Sequence, residues 1–430
     1  MSNPVRVGIA GLGTVGAGVL RLLVANAEVI SARAGRAVVV TAVSARDRTR
    51  DRGAALDGVR WHDDPVALAA DPEVDVVVEL IGGADGPARA LVEAALSARR
   101  PVVTANKAML AVHGASLAAA AEEAGVALAF EAAVAGGIPV IKTLREGLAA
   151  NRITRIAGIL NGTCNYILSR MRAEGRDFAE ILADAQRLGY AEADPSFDID
   201  GIDAAHKLAI LAALAFGRPV AFGAVHVEGI RGVSAQDIRF AGELGYRIKL
   251  LGLAHATAAG VSARVHPALV AEDAPLARVE GVYNAVVAEG DFVGRVMLEG
   301  RGAGAGPTAS AVVADLIDIA RGRATPVWGA AGAALSDAPS VPIADHMGCY
   351  YLRLMVVDRP GVIADVTAVL RDHGVSLESM LQRGRAPGET VAVVLVTHET
   401  REAAMAAALE RIAALDAVLE APTMLRIEPA

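Results

Sequence analysis

The chain has 430 residues, of which 53% are apolar, 21% charged and 3% aromatic, a length that suits two or three domains rather than one core. Its 41 basic and 49 acidic residues leave a net charge of −8, and no block of lysine and arginine stands out, so neither nucleic acid nor a membrane is an expected partner. Cys164 and Cys349 are the only cysteines, which excludes a disulfide scaffold and a cysteine-rich zinc site and fits a reducing, cytoplasmic compartment.

Val5 to Ala10 reads as a short buried strand. Gly11-Leu12-Gly13-Thr14-Val15-Gly16 follows at once, and Val15, Val19, Leu22 and Leu23 then keep helical spacing. Val7 to Leu20 with Ala25-Asn26-Ala27 outwardly resembles a secretory signal, but five glycines interrupt it and no basic leader precedes it. Val38 to Val43 is a second strand, and Val74 to Leu80, Pro101 to Thr104 and Val126 to Phe130 continue the series. Alanine-rich helices over Ala88 to Ser97 and Ser116 to Glu123 alternate with them. This pattern predicts a doubly wound, Rossmann-type α/β domain over residues 1–135.

The middle, residues 136–308, mixes predicted helices with short strands, an α+β pattern. Ile181 to Leu188 and Asp203 to Phe216 are helical, and Val261 to Val265 alternates as a half-exposed strand. No apolar run reaches the roughly 18 residues that span a bilayer; the strongest, Leu208 to Phe216, lies between Lys207 and Arg218. Glycine-rich Gly300 to Gly306 precedes a helix over Ala309 to Arg321, and Ala330 to Asp345 reads as a linker, so residues 309–345 join two folded parts. From 350 to 430 the order is strand, helix, strand, strand, helix, strand, a ferredoxin-like module of about 80 residues.

Several of these residues can carry chemistry. In the glycine turn, Gly11 permits the bend, Gly13 admits a pyrophosphate, Gly16 lets helix pack on strand, and the helix N-terminus at Thr14 and Val15 offers N–H donors; the other reading is a plain turn. Arg46 and Arg48 follow the second strand and can pair with the 2′-phosphate of NADP, or are simply solvated charges. Lys107 stands at the carboxyl end of a predicted parallel strand, where α/β sheets bind ligands, or is an ordinary surface lysine. The segment Gly189 to Lys207 holds Glu192, Asp194, Asp198, Asp200 and Asp203 before one lysine. Asp203 and Lys207 are spaced i, i+4 on one helix face, at the mouth of the most apolar helix, where a lysine can move protons. An ordinary intrahelical ion pair is the alternative. Glu131 opens a glycine-rich bend whose carbonyls suit a hard cation, or is a satisfied buried glutamate. Cys164 and His206 read as packing residues.

Taken together, Gly11 to Gly16, Thr104-Ala105-Asn106-Lys107, Asn161-Gly162-Thr163, Gly189-Tyr190-Ala191-Glu192, Asp198 to Lys207, Gly302-Ala303-Gly304 and Pro307 to Ala311 resemble the homoserine dehydrogenase family, in the form with a C-terminal ACT domain. The resemblance spans essentially the whole chain. It implies interconversion of L-aspartate 4-semialdehyde and L-homoserine with NADP or NAD, in threonine, methionine and isoleucine biosynthesis. It implies Lys207 and Lys107 as catalytic residues, with Lys107 also at the cofactor. It implies Glu192, Asp198, Asp203, Thr163 and Tyr190 around the substrate, and Gly189 and Gly304 with the glycine turn at the cofactor. Glu131, Val134, Gly136 and Ile138 match the family's loop for a monovalent cation, Na⁺ or K⁺. Residues 136–308 would form a catalytic and dimerisation domain of a homodimer or homotetramer, and the helix from Ala309 would return to the nucleotide domain. Residues 350–430 would sense an amino acid, foremost L-threonine, near Asp358-Arg359-Pro360-Gly361-Val362; a purely structural module is the alternative. Other classes in view are an amino-acid sensor on a degenerate dehydrogenase, which the intact lysine pair opposes, and another Rossmann amino-acid dehydrogenase, which the Glu192 to Lys207 segment opposes.

Overall fold

The computed structural model describes residues 3–53, 56–383 and 388–429. The N-terminal part comprises β1 (Val5–Ala10), α1 (Thr14–Ala25), α2 (Ala27–Ala34), β2 (Val38–Ser44), β3 (Arg60–His62), β4 (Val76–Glu79), α3 (Pro87–Ser97), β5 (Val102–Thr104), α4 (Lys107–Ala124) and β6 (Leu128–Ala129). Its six strands are all parallel in the order β3-β2-β1-β4-β5-β6, the doubly wound arrangement whose ligand crevice opens at the carboxyl ends of β1 and β4. Every residue of β4 is buried, as expected of a valine run covered on both faces. The helix predicted over Ser116 to Glu123 in fact begins at Lys107. Gly114 looks like an interruption, but a side chain there would meet Trp328 at 2.8 Å, so the glycine makes room for the indole inside a continuous helix.

The middle part comprises α5 (Val140–Lys142), β7 (Ile153–Ile159), α6 (Gly162–Glu174), α7 (Phe178–Arg187), α8 (Ser196–Ile199), α9 (Ile202–Phe216), β8 (His226–Val227), α10 (Ala235–Glu243), β9 (Tyr246–Thr257), β10 (Gly260–Ala271), β11 (Tyr283–Gly290), β12 (Gly294–Arg301) and α11 (Ala305–Ala320). The expectation of short strands is corrected here. β9 and β10 are 12 residues each and pair along their whole length, and most of β10 is buried rather than half-exposed. The apolar helix α9, buried over Asp203 to Leu214, packs on β7, β9 and β10. α11 begins at Ala305, four residues before its predicted start, and returns to lie on α1. A side chain at Gly18 would meet Ala305 O at 2.6 Å, so that glycine sets how closely the two helices approach.

The C-terminal part comprises β13 (Met347–Val357), α12 (Val362–Asp372), β14 (Leu377–Gln382), β15 (Thr390–Thr397), β16 (Thr400–Arg401), α13 (Glu402–Ala413) and β17 (Thr423–Ile427). The strand order β17-β13-β15-β14 is ferredoxin-like. The sequence did not suggest a pendant module that shares a sheet, yet β17 pairs in parallel with β10 through Ala268 and Leu269. The two parts thus form one 11-stranded sheet. Buried ion pairs close the seam: Arg353 on Asp237 at 2.7 Å, and Arg264 on Glu428 at 2.7 Å. The proline-containing linker is tied down as well: Val261 N donates to Pro339 O at 2.8 Å and Val341 N to Val261 O at 2.9 Å, on either side of Ser340. Among the described residues no single helix is long and apolar enough to cross a membrane.

Candidate active site

The glycine turn between β1 and α1 is shaped by close approach. Gly11 has φ +95°, and a side chain there would lie 2.4 Å from Leu80 O; one at Gly16 would lie 2.1 Å from Gly11 O. Gly13, by contrast, faces open space and caps α1 with no side chain blocking the first-turn N–H groups of Thr14 and Val15. A cleft of about 520 Å³ adjoins it, bounded by Gly11, Gly13, Ser44, Arg46, Arg50 and Leu80. These features fit a dinucleotide: bare backbone, a helix N-terminus and cations at the end of β2. Of the two arginines considered from sequence, Arg48 is engaged with Asp63 at 2.7 Å and lies over Trp61. Arg46 has no such partner among the described residues, and Arg50, not singled out by the sequence, joins it in the cleft.

Glu79, fully buried at the end of β4, fixes the neighbouring loops. It accepts the Thr104 hydroxyl at 2.6 Å and the N–H groups of Ile81 and Gly82 at 2.7 and 3.0 Å. Asn106 caps α4 by accepting from Met109 N and donates to Gly83 O at 2.7 Å. Lys107, first residue of the helix, is thereby directed out of the sheet's carboxyl edge, 5.6 Å over the Phe197 ring.

There it meets the acidic segment. Asp203 Oδ1 lies 3.2 Å from Lys107 Nζ, and Asp203 Oδ2 lies 2.6 Å from Lys207 Nζ. Lys207 also donates to Leu160 O at 2.8 Å, a carbonyl shared with the Asn284 amide at 2.9 Å. Asn161, the cap of α6, donates to Asp198 Oδ1 and Asp203 Oδ2, both at 2.8 Å, while accepting from Cys164 N. Thr163 donates its hydroxyl toward Asp198 Oδ2 or Tyr190 O, each 3.0 Å away. Burial would raise the Asp203 carboxyl, but the charges of Lys207 and Lys107, with hydrogen bonds from Lys207 and Asn161, hold it well below the usual carboxylate range.

The other expected residues are distributed around this core. Tyr190 is exposed and packs at a tilt against Tyr166, with ring centroids 4.6 Å apart. Glu192 is exposed, its side chain unbonded among the described residues, so the structure does not bring it into the cluster. Gly189 (φ +76°) ends the turn after α7, and Gly304 (φ +120°) caps α11 beside α1. Asp200 is turned away onto Arg231, and Asp194 onto Ser196 N. His206 lies between the rings of Phe197 and Phe222. Cys164 is fully buried, its thiol donates to Asp198 O, and burial pushes it well above its ordinary range, which suits packing and not nucleophilic attack. Asn161 and Asn284 were not read as functional. The cap signature of Asn before a helix pointed to the first; nothing local marked the second.

The Glu131 loop lies behind this site. Glu131 accepts from Ile141 N and Lys142 N at 2.9 and 2.8 Å, and its own N–H donates to Asp315 at 2.9 Å. Burial and the Asp315 charge push its carboxyl up to about 7. Ala135 and Gly136 are consecutive left-handed residues (φ +56° and +52°), and Gly136 abuts Gly302 O. The carbonyls of Val134 and Gly136 accept no hydrogen bond among the described residues, whereas Ile138 O accepts Val140 N at 2.8 Å. No three His, Cys, Asp or Glu side chains are grouped for a metal among the described residues, so an ion here would rest mainly on carbonyls, a hard oxygen donor set.

Comparison with known proteins agrees across the chain. Residues 139–317 match the family "Homoserine dehydrogenase", residues 11–131 "Homoserine dehydrogenase, NAD binding domain", and residues 350–416 "ACT domain". A homoserine dehydrogenase of Pseudomonas aeruginosa is 48% identical over 435 residues, covering 99% of both chains. The crystal structure of a homoserine dehydrogenase from Thiobacillus denitrificans superposes with a TM-score of 0.94 at 48% identity, covering 99% of each chain. A hyperthermophilic archaeal homoserine dehydrogenase in complex with NADPH superposes with a TM-score of 0.63 at 28% identity, over 74% of this chain and 97% of that one.

Proposed function

The chain belongs to the homoserine dehydrogenase family, and on that premise we propose how its residues interconvert L-aspartate 4-semialdehyde and L-homoserine. The observation that carries the reading is one buried carboxylate, Asp203, shared between Lys207 at 2.6 Å and Lys107 at 3.2 Å. Lys207, held by Asp203 and Leu160 O, gives its proton to the aldehyde oxygen on reduction and takes it from the hydroxyl on oxidation. The nicotinamide cofactor, when bound, supplies or accepts the hydride at carbon. Lys107, at the sheet edge between the glycine turn and Asp203, touches both cofactor and substrate. Asp198 and Thr163 form the floor for the substrate's amino-acid end, with Tyr190 and Glu192 at the rim, and Gly189 and Gly304 line the cofactor. The test is spectrophotometric: purified enzyme with L-homoserine and NAD or NADP should reduce the cofactor, and no turnover with either would overturn the reading.

Finer assignments belong to the same proposal. Arg46, with Arg50 beside it, favours NADP over NAD through the 2′-phosphate. Glu131 with the carbonyls of Val134, Gly136 and Ile138 holds a monovalent cation. The ACT domain senses an amino acid, foremost L-threonine. Its support is the turn before α12, where Gly361 (φ +97°) caps the helix without a side chain and leaves the N-terminal donors for a carboxylate. Threonine should raise the apparent KM or lower kcat; indifference at millimolar levels would leave the module structural. The open edges at β12 and β14 support a homodimer or homotetramer in the cytoplasm, which light scattering would measure.

A further inference from the structure

The partners of Lys207 leave it one free direction. A lysine ammonium carries three N–H bonds. One goes to Asp203 Oδ2 at 2.6 Å and one to Leu160 O at 2.8 Å, so the third alone is left for the reacting oxygen. The nitrogen is tetrahedral, and two fixed bonds fix the third. Where that proton points therefore depends on where the Leu160 carbonyl stands.

Leu160 follows the last residue of β7, just past the point where Ile159 pairs with Ala285 of β11. Its side chain sits in a notch made by two glycines: a side chain at Gly158 or Gly252 would meet it at 2.9 or 2.8 Å. That pins the residue but not the rotation of its peptide plane. The Asn284 amide supplies the missing restraint, donating from Nδ2 to Leu160 O at 2.9 Å. With Lys207 as the other donor, both lone pairs of the carbonyl are used.

Asn284 is itself held from two sides. The carbonyl before it, Tyr283 O, accepts the Asn165 amide at 3.2 Å, and Asn165 Oδ1 accepts from the buried Lys249 at 3.2 Å. Gly302 lies against the amide, where a side chain would meet Asn284 Cγ at 2.2 Å and Nδ2 at 2.3 Å. Asn284 is only 1% exposed, and its Oδ1 is buried with no hydrogen bond among the described residues. A buried acceptor left unsatisfied costs stability, so packing gives no reason for an asparagine here. Alignment of the active site does, and local conflicts of this kind belong to functional positions.

We infer that Asn284 is a positioning residue for the proton transfer: it sets the Leu160 carbonyl, and through it aims the free N–H of Lys207 at the substrate oxygen. The inference rests on the reading of Lys207 as acid and base. Asn284 orients that group and moves no proton itself.

The test varies Asn284 alone and in a Lys207→Ala background, following L-homoserine oxidation with each cofactor. Asn284→Ala removes the donor together with the orphaned oxygen, and Asn284→Ser leaves a hydroxyl too short to replace the amide. Both should melt near the wild-type temperature. In otherwise wild-type enzyme kcat should fall about tenfold, with the KM for homoserine and for cofactor little changed. In the Lys207→Ala background the same substitutions should cost nothing further, because the group they orient is gone. An equal loss in that background would mean that Asn284 acts elsewhere; the inference then falls and Lys207 remains the acid. An unchanged kcat in otherwise wild-type enzyme, or failure of both variants to fold, would also overturn it, the second by making Asn284 structural. Near-normal turnover of Lys207→Ala itself would remove the acid assignment, and this inference with it.

Discussion

Arg426, in the last strand of the ACT domain, holds both carboxylate oxygens of Glu228 in the catalytic domain, at 2.9 and 2.8 Å. The same guanidinium, 1% exposed, also pairs with Glu402. One buried cation thus serves an acid from each domain, at the strand where their sheets become continuous. Burial opposes ionisation of Glu228, but His226 and Arg426 hold it well below the usual carboxylate range.

Removing that cation is therefore expected to destabilise the joint more than a lost surface bridge would. Arg426→Ala leaves Glu402, which is 6% exposed, without its cationic partner and with only the Tyr350 hydroxyl at 2.9 Å, and truncating one side of a buried pair costs about 3–5 kcal/mol. Thermal unfolding should show a lower midpoint, most marked for the ACT domain. A midpoint within a degree or so of wild type would mean that water replaces the guanidinium at no cost.

Lys207→Ala tests the proton transfer. General acid–base catalysis contributes about 10² or more, so kcat should fall by that factor while cofactor affinity survives. Near-normal turnover in the folded variant would remove Lys207 from the mechanism and leave Lys107 as the remaining lysine at Asp203.

Asn161 is expected to act by position. Its amide links Asp198 and Asp203, and its oxygen caps α6. Asn161→Ala should lower kcat by about tenfold through loss of alignment while the KM for homoserine barely moves. A merely structural cap would lower stability by about 1 kcal/mol and leave kcat in place.

The Arg46 assignment makes a prediction about cofactor choice. Arg46→Ala removes a charge-assisted bond to the 2′-phosphate, worth about 1.5–3 kcal/mol. The KM for NADPH should rise at least about tenfold while that for NADH barely moves. Equal changes in both would make Arg46 an ordinary loop charge, with Arg50 the next residue to vary.

What was legible follows from the range of the interactions. The Rossmann half shows in sequence because its buried strands are short valine runs between glycine turns, and the spacing of Asp203 and Lys207 is local to one helix turn. The long strands of the catalytic sheet do not show. Gly252 interrupts β9 to admit Leu160, which a side chain there would meet at 2.8 Å. Pro267 interrupts β10 between the residues that pair with β8 and those that pair with β17. The convergence of Lys107 with Asp203, and of Asn284 with Leu160 O, joins segments 96 and 124 residues apart, which no periodicity records. The lysines were singled out by resemblance and by position in their elements; their shared carboxylate emerges only in three dimensions.

Protonation of Glu131 couples pH to the cation. Glu131 is 2% exposed and its carboxyl rises from 4.5 to about 7, so the folded chain holds that proton more tightly than the unfolded one. The stability it contributes is present below about pH 4.5 and is lost as pH rises through about 7, a change of roughly 3 kcal/mol. The buried imidazoles His255 and His346, lowered from 6.5 to about 4, act with the opposite sign, their contribution being lost as pH falls. The net slope of the wild type is thus not diagnostic, and the difference from Glu131→Gln is. In tetramethylammonium buffers, wild-type stability should fall relative to Glu131→Gln between pH 5 and 8. A monovalent cation on the Val134 and Gly136 carbonyls favours the charged carboxylate, so KCl or NaCl should restore wild-type stability, and activity, more at pH 8 than at pH 5. Tetramethylammonium is too large for the loop and should not. Parallel stability curves for the two proteins, unaffected by either salt, would show that Glu131 is held neutral by its neighbours and that the loop is only a buried turn.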